Sequence, residues 1–229
     1  MSQSNGFYLS QNEWIVEDYY YGYLNNRNKT KHITNAELNV RVHNPFGDDL
    51  LEIMMGKYAD SLRMEEKIAI ISWFEMNYDP WIEAFLIRLG ITSEITTIDL
   101  NKKSYENSKI KTRLLTDYNN VYNEDDKFDS MISYFSLETI GLGKYGEMIS
   151  LDADIDVFNF IECKLRPRGR LYLTVSVEFG QQNSSLQFNT KRIYGKQRLE
   201  MMMHKKWNIL DSLVDKHATS QIFVLEKIN

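Results

Sequence analysis

The feature that most constrains this 229-residue sequence is a strand–helix–strand pattern between residues 68 and 99. Ile68–Ser72 is a short apolar run, which is typical of a buried parallel strand. Asp79-Pro80 predicts the start of a helix that Gly90 ends, and Ile95–Asp99 forms the next strand. A unit of about thirty residues has the size of a parallel βαβ crossover, so the pattern predicts an α/β fold.

The alternation of strands and helices continues to the end of the sequence. The pattern predicts further strands at Arg113–Thr116, Phe128–Tyr134 and Arg170–Val177. It also predicts a helix near Asp48, a helix at Leu151–Leu165 with an exit turn at Arg166–Gly169, and a short helix at Lys196–Lys205. Trp207–Val214 and Gln221–Leu225 follow as closing strands with little helix between them. We therefore predict a doubly wound, mostly parallel, Rossmann-like sheet with an antiparallel edge hairpin.

Composition predicts one core and a short extension. Hydrophobic residues make up 43% of the chain, which is enough for a single α/β domain over residues 48–229. Residues 1–47 are polar and rich in Asn and Tyr, which predicts a partly irregular N-terminal extension. No apolar stretch reaches the roughly 18–20 residues of a membrane helix, and no signal peptide is visible. A single cysteine, Cys163, fits a reducing compartment, so a cytoplasmic location without membrane contact is expected.

Metal binding is not indicated by the sequence. The four histidines, at positions 32, 43, 204 and 217, are scattered, and there is no cysteine pair, so no metal site is predicted. Asp152, Asp154 and Asp156 alternate before a predicted helix, but the glycine and glutamate of a calcium loop do not follow them. They are interpreted as helix-start charges, which the helix dipole favours.

The residues that end the predicted strands are the candidate ligand contacts. In a doubly wound sheet, ligands bind beyond the carboxyl ends of the strands, where the strand order reverses. Asp99 ends the second strand of the unit and can accept hydrogen bonds from ribose hydroxyls, although a helix cap or a solvated turn is an equal alternative. The loop from Ser72 to Asp79 has no glycine, and Glu75 and Asp79 would repel phosphates. A ligand without phosphates therefore fits this loop better than a dinucleotide.

The net charge of −5 hides an uneven distribution. The segment from Lys164 to Asn229 holds 12 basic and 5 acidic residues, whereas the preceding segment is strongly acidic. The basic excess is concentrated in Lys191–Arg198, which could meet a phosphorylated substrate, a glycan phosphate or an RNA backbone. The more ordinary alternative is a solvated surface.

Three motifs carry a resemblance to a known family. In the stretch from Phe128 to Glu147, the matching positions are Ser136, Glu138, Gly141, Leu142, Gly143, Tyr145 and Gly146. A later motif is matched by Asn189, Arg192, Tyr194 and Gly195, and Pro80-Trp81-Ile82-Glu83 matches a third. These segments resemble the family catalogued as domain of unknown function 268, whose members look like class I S-adenosylmethionine-dependent methyltransferases. The sequence departs from the pattern at Phe135, Thr139 and Lys191, and it lacks the Gly-Ser pair of the first loop.

The resemblance implies a cofactor, S-adenosylmethionine, and a role for each candidate residue. Contacts with the cofactor are implied for Ser72, Glu75, Asp99, Asp117, Ser133 and Tyr134, with Asp99 at the ribose and Asp117 at the adenine amino group. Glu138, as base or acceptor-orienting residue, and Tyr145 are the implied catalytic residues, while Lys144, Arg192 and Tyr194 line the acceptor side. The motif from Gly141 to Gly146 could equally be a structural loop.

Two functions remain open at this stage. The first is a methyltransferase acting on a small-molecule, anionic or glycan-type acceptor. The second is a catalytically degenerate methyltransferase-like fold that binds protein or RNA, which the departures at Thr139 and Lys191 favour. The oligomeric state and the methyl acceptor do not follow from the sequence.

Overall fold

The computed structural model describes residues 31–33, 50–62, 67–72, 80–90, 94–99, 103–115, 127–144, 148–187 and 190–228. The strands are β1 (Lys31–Ile33), β2 (Ile68–Ser72), β3 (Ile95–Asp99), β4 (Lys103–Tyr105), β5 (Ile110–Leu114), β6 (Phe128–Tyr134), β7 (Leu165–Ser176), β8 (Ser185–Gln187), β9 (Lys191–Ile193), β10 (Trp207–Val214) and β11 (Ser220–Lys227). The helices are α1 (Leu50–Lys57), α2 (Ala59–Leu62), α3 (Trp81–Arg88), α4 (Ala153–Lys164) and α5 (Lys196–Met203).

A seven-stranded sheet forms the centre of the fold. Its order is β10-β11-β7-β6-β2-β3-β5, in which β7, β6, β2, β3 and β5 run parallel. The last strand, β11, lies between β7 and β10 and pairs antiparallel with both of them. The predicted doubly wound sheet with an antiparallel hairpin at its edge is confirmed.

Alternation along the strands divides the core between the two faces of the sheet. Ala69 and Ile71 belong to a buried cluster that includes the apolar side of α4 and the end of α5. Ile68 and Ile70 belong to a second cluster with α1 and α3. Because successive strand residues point to opposite faces, one continuous apolar run supplies both layers. This is why a five-residue run such as β2 was readable from the sequence.

The third strand of the parallel region differs from the prediction. It spans Ile110–Leu114 rather than Arg113–Thr116, and only Ile110 is buried in it. As an edge strand, β5 alternates between buried and solvated positions, so it lacks the apolar run on which the prediction relied.

The predicted exit turn at Arg166–Gly169 is wrong, because β7 already begins at Leu165 and continues through these residues. The pairing of β6 and β7 shifts register between Phe128 and Ser130, and Arg168 adopts a positive φ of 62°. Arg166 makes an ion pair with Asp129 at 2.5 Å, which fastens the irregular segment to the neighbouring strand. The chain therefore bulges within the strand instead of turning out of the sheet.

The segment before the α/β domain contributes one short strand. Strand β1 pairs in parallel with β4, so residue 31 faces residue 103 in register. This pairing brings an N-terminal strand to the segment that follows β3. The boundary between residues 47 and 48 lies outside the described residues and stays a prediction. Within the described ranges, no helix is long and apolar enough to cross a membrane.

Candidate functional site

The strand order reverses between β2 and β6, which opens the doubly wound sheet at their carboxyl ends. We call this side of the sheet the carboxyl edge; it carries the ends of β2, β3, β6 and β7. The Ser136 hydroxyl, just beyond β6, donates to the Ile71 carbonyl at 2.6 Å. Ser136 is fully buried, so this bond ties the loop after β6 to the end of β2 at the switch point.

Ser72 and Asp99 meet at the carboxyl edge, as the sequence predicted for neighbouring strand ends. They are register partners of β2 and β3, and both are buried. The Lys103 ammonium donates to Asp99 Oδ2 at 2.5 Å and to Ser72 Oγ at 3.2 Å. Only 3% of either side chain of the Lys103–Asp99 pair is exposed. We call these three residues the Asp99 cluster.

The Asp99 cluster shows that two oxygens converge on one hydrogen-bond donor. A ribose cis-diol is also a donor, so the same oxygens suit the ribose of a nucleoside. The backbone of Lys103 is held in place, because Thr112 Oγ1 donates to its carbonyl at 2.7 Å and β4 pairs with β1.

Glu138 forms a second polar cluster beyond β6 and β7. The backbone N–H of Ser176 donates to Glu138 Oε2 at 2.7 Å, and the Ser176 hydroxyl lies 3.2 Å from Oε1. The Lys191 ammonium donates to Ser176 Oγ at 2.7 Å and lies 3.7 Å from Glu138 Oε1. We call Glu138, Ser176 and Lys191 the Glu138 cluster.

The environment of Glu138 changes its acidity. Burial raises the pKa of this carboxyl from 4.5 to about 7, although the hydrogen bonds from Ser176 and the charge of Lys191 oppose the rise. Only 3% of Glu138 is exposed, whereas about a third of the Lys191 side chain is. A carboxyl with this pKa exchanges its proton near neutral pH, which is the property of a general acid or base.

Arg192 joins two of the motifs that carried the family resemblance. Its guanidinium donates to the carbonyls of Ile140 at 2.5 Å and Ser150 at 2.9 Å, and its backbone N–H donates to the Glu138 carbonyl at 2.8 Å. Gly141 has a φ of +71°, and a Cβ there would stand 2.3 Å from that of Ala153. The loop after β6 is therefore closed against the start of α4, and its shape requires this glycine.

Tyr194 and Asp154 extend this network of hydrogen bonds. The Tyr194 hydroxyl donates to Asp154 Oδ2 at 3.0 Å, and Arg198 binds the same carboxylate through Nε at 2.9 Å and Nη2 at 2.6 Å. Burial and the Asp154 charge hold the pKa of Tyr194 well above its ordinary value. Asp154 lies in the first turn of α4, as predicted for a helix-start charge, but it is fully buried rather than solvated. From α4 it binds Tyr194 and Arg198.

The remaining described candidates have less direct positions. Tyr134 ends β6 but is a core side chain, in edge contact with Trp81 at 5.1 Å between ring centroids. Ser133 is fully buried on β6, and its Oγ has no hydrogen-bond partner among the described residues. Lys144 is half-buried in the loop after β6. Glu75, Asp117 and Tyr145 lie outside the described residues, so their roles stay predictions.

The basic stretch is engaged largely within the molecule. In addition to the contacts of Lys191, Arg192 and Arg198, Lys196 pairs with Glu200 at 3.6 Å. Such contacts reduce the positive charge that this stretch presents to an outside anion. In the part of the chain that the structure describes, no group of three or more His, Cys, Asp or Glu side chains could hold a metal ion.

Three residues of these clusters were not assigned an individual role from the sequence. Ser176 ends a strand, which is a usable signal, and Lys191 was noted as a departure from the family pattern and as the first residue of the basic stretch. Lys103 had a weaker signal, its position four residues after Asp99. That spacing predicts contact in a helix, whereas this segment follows a strand.

Solved structures with a similar fold include a methyltransferase. Burkholderia thailandensis 1,6-didemethyltoxoflavin-N1-methyltransferase, solved with 1,6-didemethyltoxoflavin and S-adenosylhomocysteine, has 14% sequence identity and a TM-score of 0.52, with 85% of this chain and 88% of that chain covered. The PH0226 protein from Pyrococcus horikoshii OT3 has 14% identity and a TM-score of 0.51, with 78% and 88% covered. At this identity the likeness defines the fold, which is the Rossmann-like fold of methyltransferases.

The family follows from the sequence match. Residues 73–227 match the model of the family described as "Caenorhabditis protein of unknown function, DUF268", and the chain belongs to that family. The search of curated proteins gave no match. The family resemblance noted in the motifs is thereby confirmed.

Proposed function

We propose that this chain is an S-adenosylmethionine-dependent methyltransferase whose cofactor lies across the ends of β2 and β3. The observation that supports it is the convergence of Ser72 and Asp99 on one donor position at the carboxyl edge of a methyltransferase fold. Asp99 would accept from the ribose, and the backbone of Ser133–Ser136 would flank the methionine part. Glu75 and Asp117 are the remaining proposed contacts with the cofactor.

The cofactor, when bound, supplies an electrophilic methyl group on a sulfonium. The protein then has to hold the acceptor in line with that group and remove its proton. Glu138 is the proposed base, because a pKa of about 7 leaves it partly ionised at neutral pH. Ser176 and Lys191 would orient its carboxylate through their hydrogen bonds.

The spacing of the two clusters suits this division of work. Strands β3, β2, β6 and β7 are successive neighbours, so three strand spacings of about 4.8 Å separate the strand ends at Asp99 and Ser176. The clusters therefore lie on the order of 15 Å apart along the carboxyl edge. In this proposal an extended ligand spans the two clusters, with its nucleoside end at Asp99 and the acceptor at Glu138. Arg192, Tyr194, Tyr145 and Lys144 would line the acceptor side.

A small-molecule or glycan acceptor is the proposed substrate class. A cavity of about 280 Å³ opens beside Val177 and Tyr194, at the end of β7, and its walls are mainly apolar, including Phe179, Leu199, Met203 and Phe223. It could hold an apolar part of the acceptor. The cytoplasmic location expected from the single cysteine belongs to the same proposal.

The test is calorimetric titration with S-adenosylhomocysteine. We expect saturable binding that weakens at least about tenfold in Asp99→Asn, since the amide removes the charged acceptor. Asp156→Asn on the exposed face of α4 is the matched control and should bind as the wild type does. Absence of binding at millimolar ligand, in a protein whose circular dichroism shows it to be folded, would refute the proposal.

A catalytically degenerate fold that binds protein or RNA is the second candidate. The observation that favours it is Lys103, whose ammonium takes up the Asp99 carboxylate and the Ser72 hydroxyl. The internal pairing of the basic stretch argues against the RNA version. If RNA binding is nevertheless present, its affinity should fall steeply with salt.

A further inference from the structure

Lys103 occupies the donor position of the Asp99 cluster with a side chain of the protein itself. Its ammonium contacts the carboxylate at the end of β3 and the hydroxyl at the end of β2. These are the two groups to which the proposed function assigns the cofactor. A lysine ammonium and a pair of ribose hydroxyls are both hydrogen-bond donors, so they compete for the same oxygens.

We infer that Lys103 is an internal competitor of the cofactor ribose, and that its withdrawal from Asp99 sets the affinity of the site. This inference rests on the proposed function and adds a regulatory residue to it. In the closed state of the site, the Lys103 ammonium is paired with the Asp99 carboxylate. Ligand binding requires the open state, in which the ammonium has moved into water.

The backbone and the side chain of Lys103 have different freedom to move. The backbone is fixed by the pairing of β4 with β1 and by the hydrogen bond from Thr112. The lysine side chain has a flexible four-carbon stem, so its ammonium can change position while the backbone stays in place. The proposed opening is therefore a change in the Lys103 side chain.

The closed state lowers the apparent affinity by mass action. When only 1–10% of molecules are open, the apparent Kd is about 10- to 100-fold weaker than that of the open site. Both charged groups of the pair are almost fully buried, which favours the closed state because each would otherwise lose its partner. Removing the lysine should restore the intrinsic affinity.

The experiment compares wild type, Lys103→Gln and Lys111→Gln by calorimetric titration with S-adenosylhomocysteine. Lys111 is an exposed lysine of β5 that pairs with Glu94, so its substitution is the matched control. We expect Lys103→Gln to bind at least about tenfold more tightly than wild type, and Lys111→Gln to bind like wild type.

A wild-type protein that binds as tightly as Lys103→Gln would overturn the inference and leave the proposed function intact. Absence of binding by all three proteins would overturn both the inference and the proposed function. The wild-type titration therefore distinguishes the two failures.

A second measurement uses only the wild type, in case Lys103→Gln does not fold. Lysines are acetylated with acetic anhydride, with and without saturating S-adenosylhomocysteine, and the modified peptides are quantified by mass spectrometry. Lys103 is 4% exposed and should react slowly in the free protein, then several-fold faster when the ligand displaces it. Lys111 serves as the internal reference. If Lys103 stays protected at saturating ligand, it does not leave Asp99 and the inference is wrong.

Discussion

The Glu138→Gln variant should become more stable than wild type as the pH rises. The pKa of Glu138 is 4.5 in its ordinary state and about 7 in the folded protein. A folded pKa above the unfolded value means that the folded state keeps a proton that the unfolded state has released. Stability of the wild type therefore falls as the pH rises from 4.5 to about 7 and is level above that window.

The size of this effect follows from the pKa difference. At about 1.4 kcal/mol per pKa unit, ionised Glu138 lowers the free energy of unfolding by about 3 kcal/mol above pH 7. Glutamine keeps the shape of the side chain and an oxygen for the Ser176 N–H, but it carries no charge to desolvate. We expect Glu138→Gln to gain about 3 kcal/mol relative to wild type between about pH 5 and about pH 8.

The assay is urea unfolding followed by tryptophan fluorescence, since Trp81 and Trp207 are buried. Free energies of unfolding are compared across the pH range for wild type, Glu138→Gln and the control Glu200→Gln. Glu200 is 65% exposed in its pair with Lys196, so its substitution should change stability by about 0.5 kcal/mol or less at every pH. A difference between Glu138→Gln and wild type that is constant with pH, or that favours wild type at high pH, would refute the reasoning.

Two further substitutions test the loop and the network that surround Glu138. Gly141→Ala should lower the free energy of unfolding by about 3 kcal/mol or more, because the new Cβ meets other atoms at 2.3 Å and 2.7 Å as well as having an unfavourable φ. Gly90→Ala has a similar φ but open space around it, so about 1 kcal/mol is expected, and equal losses in urea unfolding would contradict the steric argument. Asp154→Asn should cost about 3 kcal/mol, because the charge of Arg198 loses its buried partner; a thermal melt unchanged from wild type would contradict this.

The central strands could be predicted from the sequence with accurate bounds. Ile68–Ser72, Ile95–Asp99 and Phe128–Tyr134 are strands as predicted, because short runs with β-branched and aromatic residues favour strands. Trp207–Val214 also has its predicted bounds, and β11 extends somewhat further than predicted. These signals are local, and a short window of sequence contains them.

The elements that were missed depend on neighbours. Strand β5 is polar on one side because it lies at the edge of the sheet, and its position there is a property of the topology. The bulge at Arg166–Gly169 arises where β7 meets β6 out of register. A prediction from one segment at a time has no access to either cause.

The candidate site divides in the same way. The sequence by itself determined that Ser72 and Asp99 end adjacent strands, and that the glycine and arginine motifs belong to one family. Only the tertiary structure decided what these residues contact. Lys103 contacts Asp99, Ser176 and Lys191 surround Glu138, and the buried Asp154 binds Tyr194. The physical reason is that strand identity follows from local hydrophobicity, whereas the partner and the burial of a charge depend on segments that meet only when the chain has folded.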